Sequence, residues 1–391
     1  MRGSIIKRYE NSYSIVINLG KDPDSGKRKQ RWYSIKGTKK AAEKKLSELL
    51  HELDTGMLVK PTRVTVGQYL DQWLLDSKVN IAPNTAQTYY WFIERHIKPA
   101  IGQMTLTALR PEHLQRLYSD KLTSGRRDGS GGLGSRSVRY IHTTMHKALK
   151  SAVKLGMLSR NPADAVDVPK VTRHEIQVMT ETDLHIFLEY AKSTSYYALF
   201  YVALFTGMRR SEILALRWCD LDLLLCQASV SRTLHQLYNR EFIIRQPKTA
   251  KGRRLIALSP STVAVFREHQ AVQEEQRRAL GLALQDDDLV FSQPDGKPLL
   301  PDSITAAWRN LARRTGLKGV RLHDARHTHA SLMLKQGIHP KVVQERLGHA
   351  SIKITLDIYS HVAPGIQQAA ANRFDEVLLT KANNNEKVST L

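Results

Sequence analysis

Prolines interrupt the middle of this chain at Pro162 and Pro169. A proline removes a backbone donor and disfavours a helical conformation in the residue before it, so a helix does not continue easily through this stretch. Helical patterns lie on both sides. The segment therefore predicts an extended linker between two lobes, and a length of 391 residues fits two to three domains.

The amino-terminal segment, residues 1–60, predicts a small α+β module. Alternating apolar residues indicate strands at about 3–8, 13–18 and 30–35, and an apolar stripe at helical spacing indicates a helix from Lys39 that stops near Gly56. The segment holds 14 Lys and Arg against 7 Asp and Glu. A basic sheet backed by one helix can lie in a DNA groove, and a merely solvated basic surface is the alternative.

Residues 64–169 predict an all-α domain. Helices are expected at about 66–75, 85–97, 110–122 and 135–155, with a glycine-rich loop before the last. The last helix carries a row of basic residues that can face phosphates. His142 and His146 on this helix have the spacing of zinc ligands, but the segment lacks the glutamate of a metalloprotease helix, so we assign them no metal.

Residues 172–378 predict a mainly α domain with a small antiparallel sheet, and residues 379–391 predict a loose tail. Strands are expected at about 228–233, 241–245 and 253–258, with the last two joined by a short polar turn. Apolar periodicity and capping residues predict helices from about 181, and at about 196–205, 261–278, 303–314, 323–336, 340–347 and 352–359.

Composition excludes several classes of function. Two cysteines, Cys219 and Cys226, are too few for a disulfide framework or a cysteine zinc cluster. The sequence shows no run of about 18 apolar residues and no signal peptide, which predicts a cytoplasmic protein with no membrane partner. The 59 Lys and Arg exceed the 37 Asp and Glu by 22 charges, and this surplus favours a polyanion, above all nucleic acid.

Four segments of the 172–378 domain carry polar residues that local packing does not explain. They are Thr-Gly-Met-Arg at 206–209, Pro-Lys-Thr at 247–249, His-Asp-Ala-Arg at 323–326, and Leu-Gly-His at 347–349 with a tyrosine ten residues later. Each motif alone is a weak signal, but their order is a strong one. The candidate catalytic residues in these segments are Arg209, Lys248, His323, Arg326, His349 and Tyr359.

In this order the motifs resemble the tyrosine recombinase, or phage-type integrase, family, and the resemblance covers essentially the whole chain. It implies the multidomain tyrosine recombinase fold, with an arm-type DNA-binding domain at 1–60, a helical core-binding domain at 64–169 and a catalytic domain at 172–378. Ala325 departs from the family, which more often has leucine there. The difference alters packing beside the site and leaves the chemistry intact.

The resemblance also implies the integrase of a phage or of an integrative mobile element. Such an enzyme binds double-stranded DNA at core and arm attachment sites as a homotetramer. It cleaves and rejoins strands through a 3′-phosphotyrosyl intermediate and a Holliday junction, and it acts in the cytoplasm at the nucleoid. The need for an excisionase or a host DNA-bending protein stays open.

Two arginines suit the charge that develops on a phosphodiester under attack. The non-bridging oxygens gain negative charge, and a guanidinium offers a planar fork of donors that never loses its charge. Arg209 and Arg326 are therefore the expected phosphate clamp. Glu212 is expected to anchor the start of the helix after Arg209 through amide hydrogen bonds, without taking part in proton transfer.

Tyr359 is the expected nucleophile, and a phenol needs a proton acceptor or a cationic site to attack at neutral pH. His323 is the expected base or phenolate partner, and His349 the expected donor to the phosphate. Lys248 is the expected general acid for the departing 5′ oxygen. His327 and His329 are expected to pack or hydrogen-bond within their helix.

No metal ion and no cofactor is expected. Two-metal nucleases need clustered carboxylates, and the acids at 220, 222 and 286–288 show no convergence in the sequence. Two alternatives remain open. A type IB topoisomerase uses similar residues but relaxes supercoils as a monomer, and the amino-terminal module disfavours it. A sequence-specific DNA-binding regulator has no use for Tyr359.

Overall fold

A computed structural model describes residues 3–21, 28–54, 63–126, 128–171, 177–247, 250–359, 371–372 and 374–375. The chain divides into two compact units, Met1–Arg173 and His174–Leu391. Within the described residues, no helix is both long and apolar enough to cross a bilayer.

The helices of both units are numbered in chain order. They are α1 Lys39–Asp54, α2 Val66–Ser77, α3 Pro83–Phe92, α4 Lys98–Ile101, α5 Pro111–Ser124, α6 Ser135–Lys154, α7 Glu181–Ala191, α8 Tyr197–Thr206, α9 Arg210–Ile213, α10 Pro260–Ala279, α11 Pro301–Arg314, α12 Leu322–Lys335, α13 Pro340–Leu347 and α14 Ile352–Tyr359. The strands are β1 Gly3–Tyr9, β2 Ser12–Lys21, β3 Arg28–Lys36, β4 Leu221–Asp222, β5 Gln227–Val230, β6 Thr233–Gln236, β7 Phe242–Arg245 and β8 Arg254–Ala257.

The amino-terminal module is a three-stranded antiparallel sheet in the order β1-β2-β3 with α1 on one face. Alternation places Ile15 and Ile17 of β2 on the face that meets Leu49 of α1, and all three are buried. The opposite face carries Trp32, which is 53% exposed and lies under the guanidinium of Arg8. The predicted strands and helix are confirmed, whereas the predicted stop at Gly56 lies outside the described residues.

The helical segment that follows is built around the buried stripes of α2, α3, α5 and α6. Thr65 starts α2 with a capping box to Gln68. The predicted linker is not wholly extended, because Pro162–Ala165 forms a 3-10 turn capped by the Asn161 side chain. A proline is tolerated in the first turn of a helix, where its missing donor would have had no partner.

The second unit packs its helices around α8, which is buried along most of its length. Its short strands form two sheets, β4-β5-β8 and β6-β7. The predicted pairing of 241–245 with 253–258 is wrong, because β7 pairs with β6 and β8 pairs with β5. The tight connection from β6 to β7 closes a local hairpin, and strands joined by a short loop usually pair. β7 and β8 therefore lie in different sheets and do not form the predicted hairpin, and Lys248 and Thr249 between them lie outside the described residues.

Candidate active site

The site begins where α8 ends at Gly207, whose φ of 64° is left-handed. A Cβ at this position would lie 2.5 Å from Leu347 Cδ2 and 2.8 Å from His329 Cδ2, so both the backbone angle and the space require glycine. The chain then turns directly into α9, with Arg209 at its N-cap. The turn thus delivers Arg209 at the junction of two helices.

Glu212 holds Arg209 in place. Its carboxylate accepts from the Arg209 backbone N–H at 2.9 Å and from Arg209 Nη1 at 2.7 Å. The same carboxylate accepts from Arg254 Nη2 at 2.9 Å. Burial alone would raise the pKa of this nearly inaccessible carboxyl, but the hydrogen bonds from Arg254 and Arg209 outweigh it and the pKa is lowered. The prediction that Glu212 anchors the start of α9 through a backbone amide is confirmed. Its ion pair with Arg254 was not predicted.

Arg326 lies on α12 and connects two loops of the site. It is 3% exposed, and it donates to Gly207 O at 2.8 Å and to Leu347 O at 2.6 Å. Both acceptors belong to helix ends, at which carbonyls lack intrahelical partners. One buried guanidinium therefore fixes the end of α8 relative to the end of α13, and it leaves further N–H donors for another acceptor.

His349 follows the left-handed Gly348 that ends α13. Its backbone N–H donates to Gln344 O at 3.0 Å, and Gln344 Nε2 donates back to His349 O at 2.9 Å. The imidazole Nδ1 lies 2.9 Å from the Thr355 hydroxyl in α14. Arg209 Nη2 also reaches Gly348 O at 3.4 Å, so the Leu-Gly-His turn and the first arginine are in contact.

His323 and His327 lie one turn apart on α12, and their rings meet edge to face at 5.0 Å. His323 is partly open to solvent at the surface of the site, and His327 is more buried. Partial burial of the imidazole, followed by the nearby His327 and Arg326, lowers the pKa of His323 to about 4. His323 is thus neutral at pH 7 in the free protein and is able to accept a proton.

Positive charge accumulates where these residues meet. Burial and then Arg326 and Arg209 lower the pKa of His349 to about 3. Burial and the neighbouring Arg209 also lower the pKa of Arg326, although the guanidinium keeps its charge at neutral pH. Burial is the larger cause of these depressed values, and repulsion between the cationic groups is the smaller one, which a bound anion would relieve.

A cavity of about 600 Å³ opens beside His323, between α11 and the start of α12. Trp308 forms its buried floor. The basic residues of its wall are Arg210, Arg309, Arg313, Lys318 and Arg321. Arg210 and Arg321 are held by hydrogen bonds to Pro301 O and to Asp324, at 2.9 and 3.0 Å. The wall extends the positive surface away from the two site arginines.

Two of the six candidate residues are described only in part or not at all. Lys248 lies outside the described residues. Tyr359 ends α14, which packs against α12 and α13, but its side chain lies outside the described part of the chain. The structure therefore brings together Arg209, Arg326 and His349, with His323 beside them on α12.

Two contributors, Arg254 and Arg346, were not identified from the sequence. The expectation that His329 hydrogen-bonds within its own helix is wrong, because its ring meets Leu204 O of α8 and Arg346 of α13. Arg254 pairs with Glu212 and donates through Nε to Arg346 O at 2.6 Å. Arg346 donates to His329 Nε2 at 3.0 Å. The only available signal was positional, since His329 follows the His-x-x-Arg motif and Arg346 precedes Leu-Gly-His.

Two of the acids considered as metal ligands pair with arginines instead. Asp220 pairs with Arg232 at 2.7 Å, and Asp288 pairs with Arg277 at 2.9 Å. The described residues contain no group of three or more His, Cys, Asp or Glu side chains that could hold a metal ion. On α6, His142 Nδ1 lies 3.2 Å from the Tyr118 hydroxyl and His146 Nε2 lies 2.8 Å from Asp164, so the two rings have separate partners.

Comparison with known proteins gives two family matches. The model of the "Phage integrase family" matches residues 177–365, and that of the "Phage integrase, N-terminal SAM-like domain" matches residues 65–122. Together they cover more than half of the chain. The ICEBs1 integrase of Bacillus subtilis (strain 168) is 28% identical over 377 residues, which are 95% of this chain and 100% of that protein.

Two solved structures have the same fold. The Tn1549 transposon integrase in complex with transposon right end DNA superposes with a TM-score of 0.65 at 20% identity, over 79% of this chain and 99% of that one. A lambda integrase tetramer bound to a Holliday junction superposes with a TM-score of 0.57 at 16% identity, over 92% and 95% of the two chains. The chain belongs to the phage integrase family and is a tyrosine-type site-specific DNA recombinase.

Proposed function

We propose that this recombinase integrates and excises a phage or another mobile element by metal-independent strand transfer. Six residues carry the chemistry in this proposal: Arg209, Lys248, His323, Arg326, His349 and Tyr359. The observation that carries the proposal is that three segments far apart in the sequence meet: Thr-Gly-Met-Arg, His-Asp-Ala-Arg and Leu-Gly-His. Arg326 donates to Gly207 O and to Leu347 O, and Arg209 donates to Gly348 O.

Arg209 and Arg326 bind the scissile phosphate. Each is preorganised, Arg209 by Glu212 and Arg326 by two carbonyl oxygens, so neither needs to rearrange when charge builds on the phosphate oxygens. Fixed donors of this kind stabilise the transition state more than the ground state. The charges of Arg326 and Arg209, which contribute after burial to the low pKa values of His323 and His349, support an anion as the occupant of the site.

The Tyr359 phenol oxygen attacks phosphorus and gives up its proton, which His323 accepts. The bond from phosphorus to the 5′ oxygen breaks, and Lys248 protonates that oxygen as it leaves. His349 donates to a non-bridging oxygen through a neutral imidazole N–H. The product is a 3′-phosphotyrosyl bond and a free 5′ hydroxyl. Attack by the 5′ hydroxyl of a partner duplex reverses these steps and rejoins the strands.

The assembly in this proposal is a homotetramer on two duplexes, with exchange through a Holliday junction. The fold shared with the lambda integrase tetramer supports it. Residues 1–60 bind arm sites, 64–169 and 172–378 bind and cleave core sites, and 379–391 form a tail. An excisionase and a host DNA-bending protein are proposed as accessory partners. The site of action is the nucleoid in the cytoplasm.

A nicked suicide substrate tests the chemistry. Attachment-site fragments from the flanks of the element are incubated with wild type, Tyr359→Phe and Arg326→Ala in EDTA, and covalent complexes are separated on a denaturing gel. We expect a covalent band for wild type alone. Absence of the band on DNA that the protein binds, or a band with Tyr359→Phe, would overturn the proposal. Supercoil relaxation without recombination between two sites would favour a type IB topoisomerase.

A further inference from the structure

Among residues 352–356, the part of α14 whose side chains the structure describes, one polar side chain is buried and the others are exposed. Thr355 is fully buried, whereas Ile352, Ile354 and Leu356 are 40%, 43% and 42% exposed, and Lys353 is exposed as well. A helix usually docks through its apolar residues. Among the described side chains of α14, the buried anchor is instead a threonine hydroxyl.

The partner of this hydroxyl is the candidate phosphate donor. Thr355 Oγ1 and His349 Nδ1 are 2.9 Å apart, and His349 is itself 6% exposed. The backbone of His349 is held on both sides by Gln344. The backbone of His349 is thus held by Gln344 of α13, and its Nδ1 is held by Thr355 of α14.

The hydrogen bond to Thr355 also links the direction of the hydroxyl to the nitrogen that carries the proton. A neutral imidazole has one N–H, and a threonine hydroxyl can donate or accept. When Thr355 donates to Nδ1, the hydrogen of the ring resides on Nε2. That tautomer leaves Nε2–H as the donor for an anion in the site. The reverse arrangement would present a lone pair to the anion and would repel it.

Position 355 is one helical turn before position 359 and shares its face of α14. The hydroxyl contact therefore lies on the same face of the helix as the position of the proposed nucleophile. The Thr355 contact therefore connects α14 to the turn that carries His349.

We propose that Thr355 is a positioning residue of the strand-cleavage reaction. Its hydroxyl donates to His349 Nδ1, fixes the Nε2–H tautomer that phosphate binding requires, and ties the helix of Tyr359 to the phosphate donor. This inference rests on the roles proposed above for His349 and Tyr359.

The first test compares Thr355→Val, which keeps the shape and removes the hydroxyl, with Thr355→Ser, which keeps the hydroxyl. Single-turnover cleavage of the suicide substrate is measured at saturating DNA with the full chain, together with the DNA affinity. We expect cleavage to fall about 10-fold to 100-fold in Thr355→Val and to change less than about threefold in Thr355→Ser, with unchanged affinity. Ile354→Val is the matched control on the exposed face and should cleave like wild type.

The second test reads the tautomer directly. The full chain is labelled with ¹⁵N-histidine, the His349 signals are assigned by their loss in His349→Gln, and the nitrogen shifts are measured without DNA. We expect the Nε2–H tautomer in wild type and in Thr355→Ser, and a shift toward Nδ1–H in Thr355→Val. A loss of packing alone would not change the tautomer in this way. Thr355→Ala takes the place of Thr355→Val if the latter does not fold.

The two proposals fail in different ways. The role of Thr355 would be overturned if Thr355→Val cleaved as fast as wild type, or if His349 in wild type were the Nδ1–H tautomer. Neither result would contradict the proposed recombinase chemistry. Covalent complexes that form without Tyr359 would overturn the proposed chemistry and the role of Thr355 together.

Discussion

Arg346 Nε donates a hydrogen bond to His329 Nε2 over 3.0 Å. The other nitrogen of that ring, Nδ1, lies 2.9 Å from Leu204 O, a carbonyl that can only accept. Nδ1 therefore carries the hydrogen and Nε2 accepts, so His329 is neutral. Arg346 also donates to Phe205 O at 3.1 Å. Together the two side chains cap the carbonyl end of α8, the helix that leads into Arg209.

Protonation of His329 would break this arrangement, which predicts a pH dependence of stability. Burial, followed by Arg346, lowers the pKa of His329 to about 4, below the ordinary value of 6.5. Between these values the unfolded chain binds more protons than the folded one, so stability falls as the pH drops from 6.5 to 4 and is independent of this group above 6.5. The expected loss of stability is on the order of 3 kcal/mol.

Thermal unfolding of wild type and His329→Gln across pH 4 to 8 measures the effect. Glutamine does not titrate, so the variant should lose less stability on acidification, although it starts less stable. His185→Gln, on the exposed face of α7, is the control and should follow wild type. Identical pH slopes for wild type and His329→Gln would contradict the assigned neutral ring.

Glu212→Gln should damage both stability and cleavage. The carboxylate is 1% exposed at its side chain and serves two arginines, so its loss leaves Arg209 and Arg254 without a counter-charge. Removing one member of a buried ion pair costs about 3 to 5 kcal/mol. Urea unfolding and the suicide-substrate assay measure the two effects. Glu189 forms an exposed ion pair with Lys192, so Glu189→Gln should change neither stability nor cleavage. A fully active, equally stable Glu212→Gln would refute the bridge.

Gly207→Ala should be more harmful than Gly281→Ala. The two glycines have similar positive φ, 64° and 69°, so both variants carry backbone strain of about 1 kcal/mol. A Cβ at 207 also meets Leu347 and His329, whereas a Cβ at 281 meets nothing within 4 Å. Urea unfolding should give a further loss of about 1 to 3 kcal/mol for Gly207→Ala. Equal losses in the two variants would show that the turn has room to relax.

Arg326→Lys should separate DNA binding from cleavage. An ammonium cannot reach two carbonyls and a phosphate with the geometry of a guanidinium fork, so we expect cleavage to fall about 100-fold or more while DNA affinity stays within a few fold. Gel shifts and single-turnover cleavage measure the two quantities. Arg278→Lys, exposed on α10, is the matched control. Wild-type cleavage by Arg326→Lys would remove this residue from the phosphate clamp.

The ordered motifs identified the family, and the family matches confirm it. Many elements were also predictable, because their signals are local. The predicted helices at 340–347 and 352–359 coincide with α13 and α14, where Pro340 opens one helix and Gly348 ends it. The motifs also named Arg209, His323, Arg326 and His349 as candidates. Their catalytic roles stay predictions.

Local signals did not determine which strands pair. The stretch predicted as one strand at 228–233 is divided, since β5 ends at Val230 and β6 begins at Thr233. This division gives β7 a nearby partner, and β8 pairs with β5 instead. Alternation indicates that a segment is a strand, but it does not say which neighbour completes its hydrogen bonds.

The sequence by itself determined most helix bounds, because each depends on residues close together in the chain, and it determined the family and the candidate residues through short motifs in a fixed order. Only the tertiary structure decided that Glu212 bridges Arg209 and Arg254, that Arg346 holds His329, and that Thr355 meets His349. The chain has 59 basic residues, and nothing in the local pattern marks those with buried partners. The hydrogen-bond partner of a buried polar group is the residue that tertiary packing places beside it, and this packing depends on the whole unit.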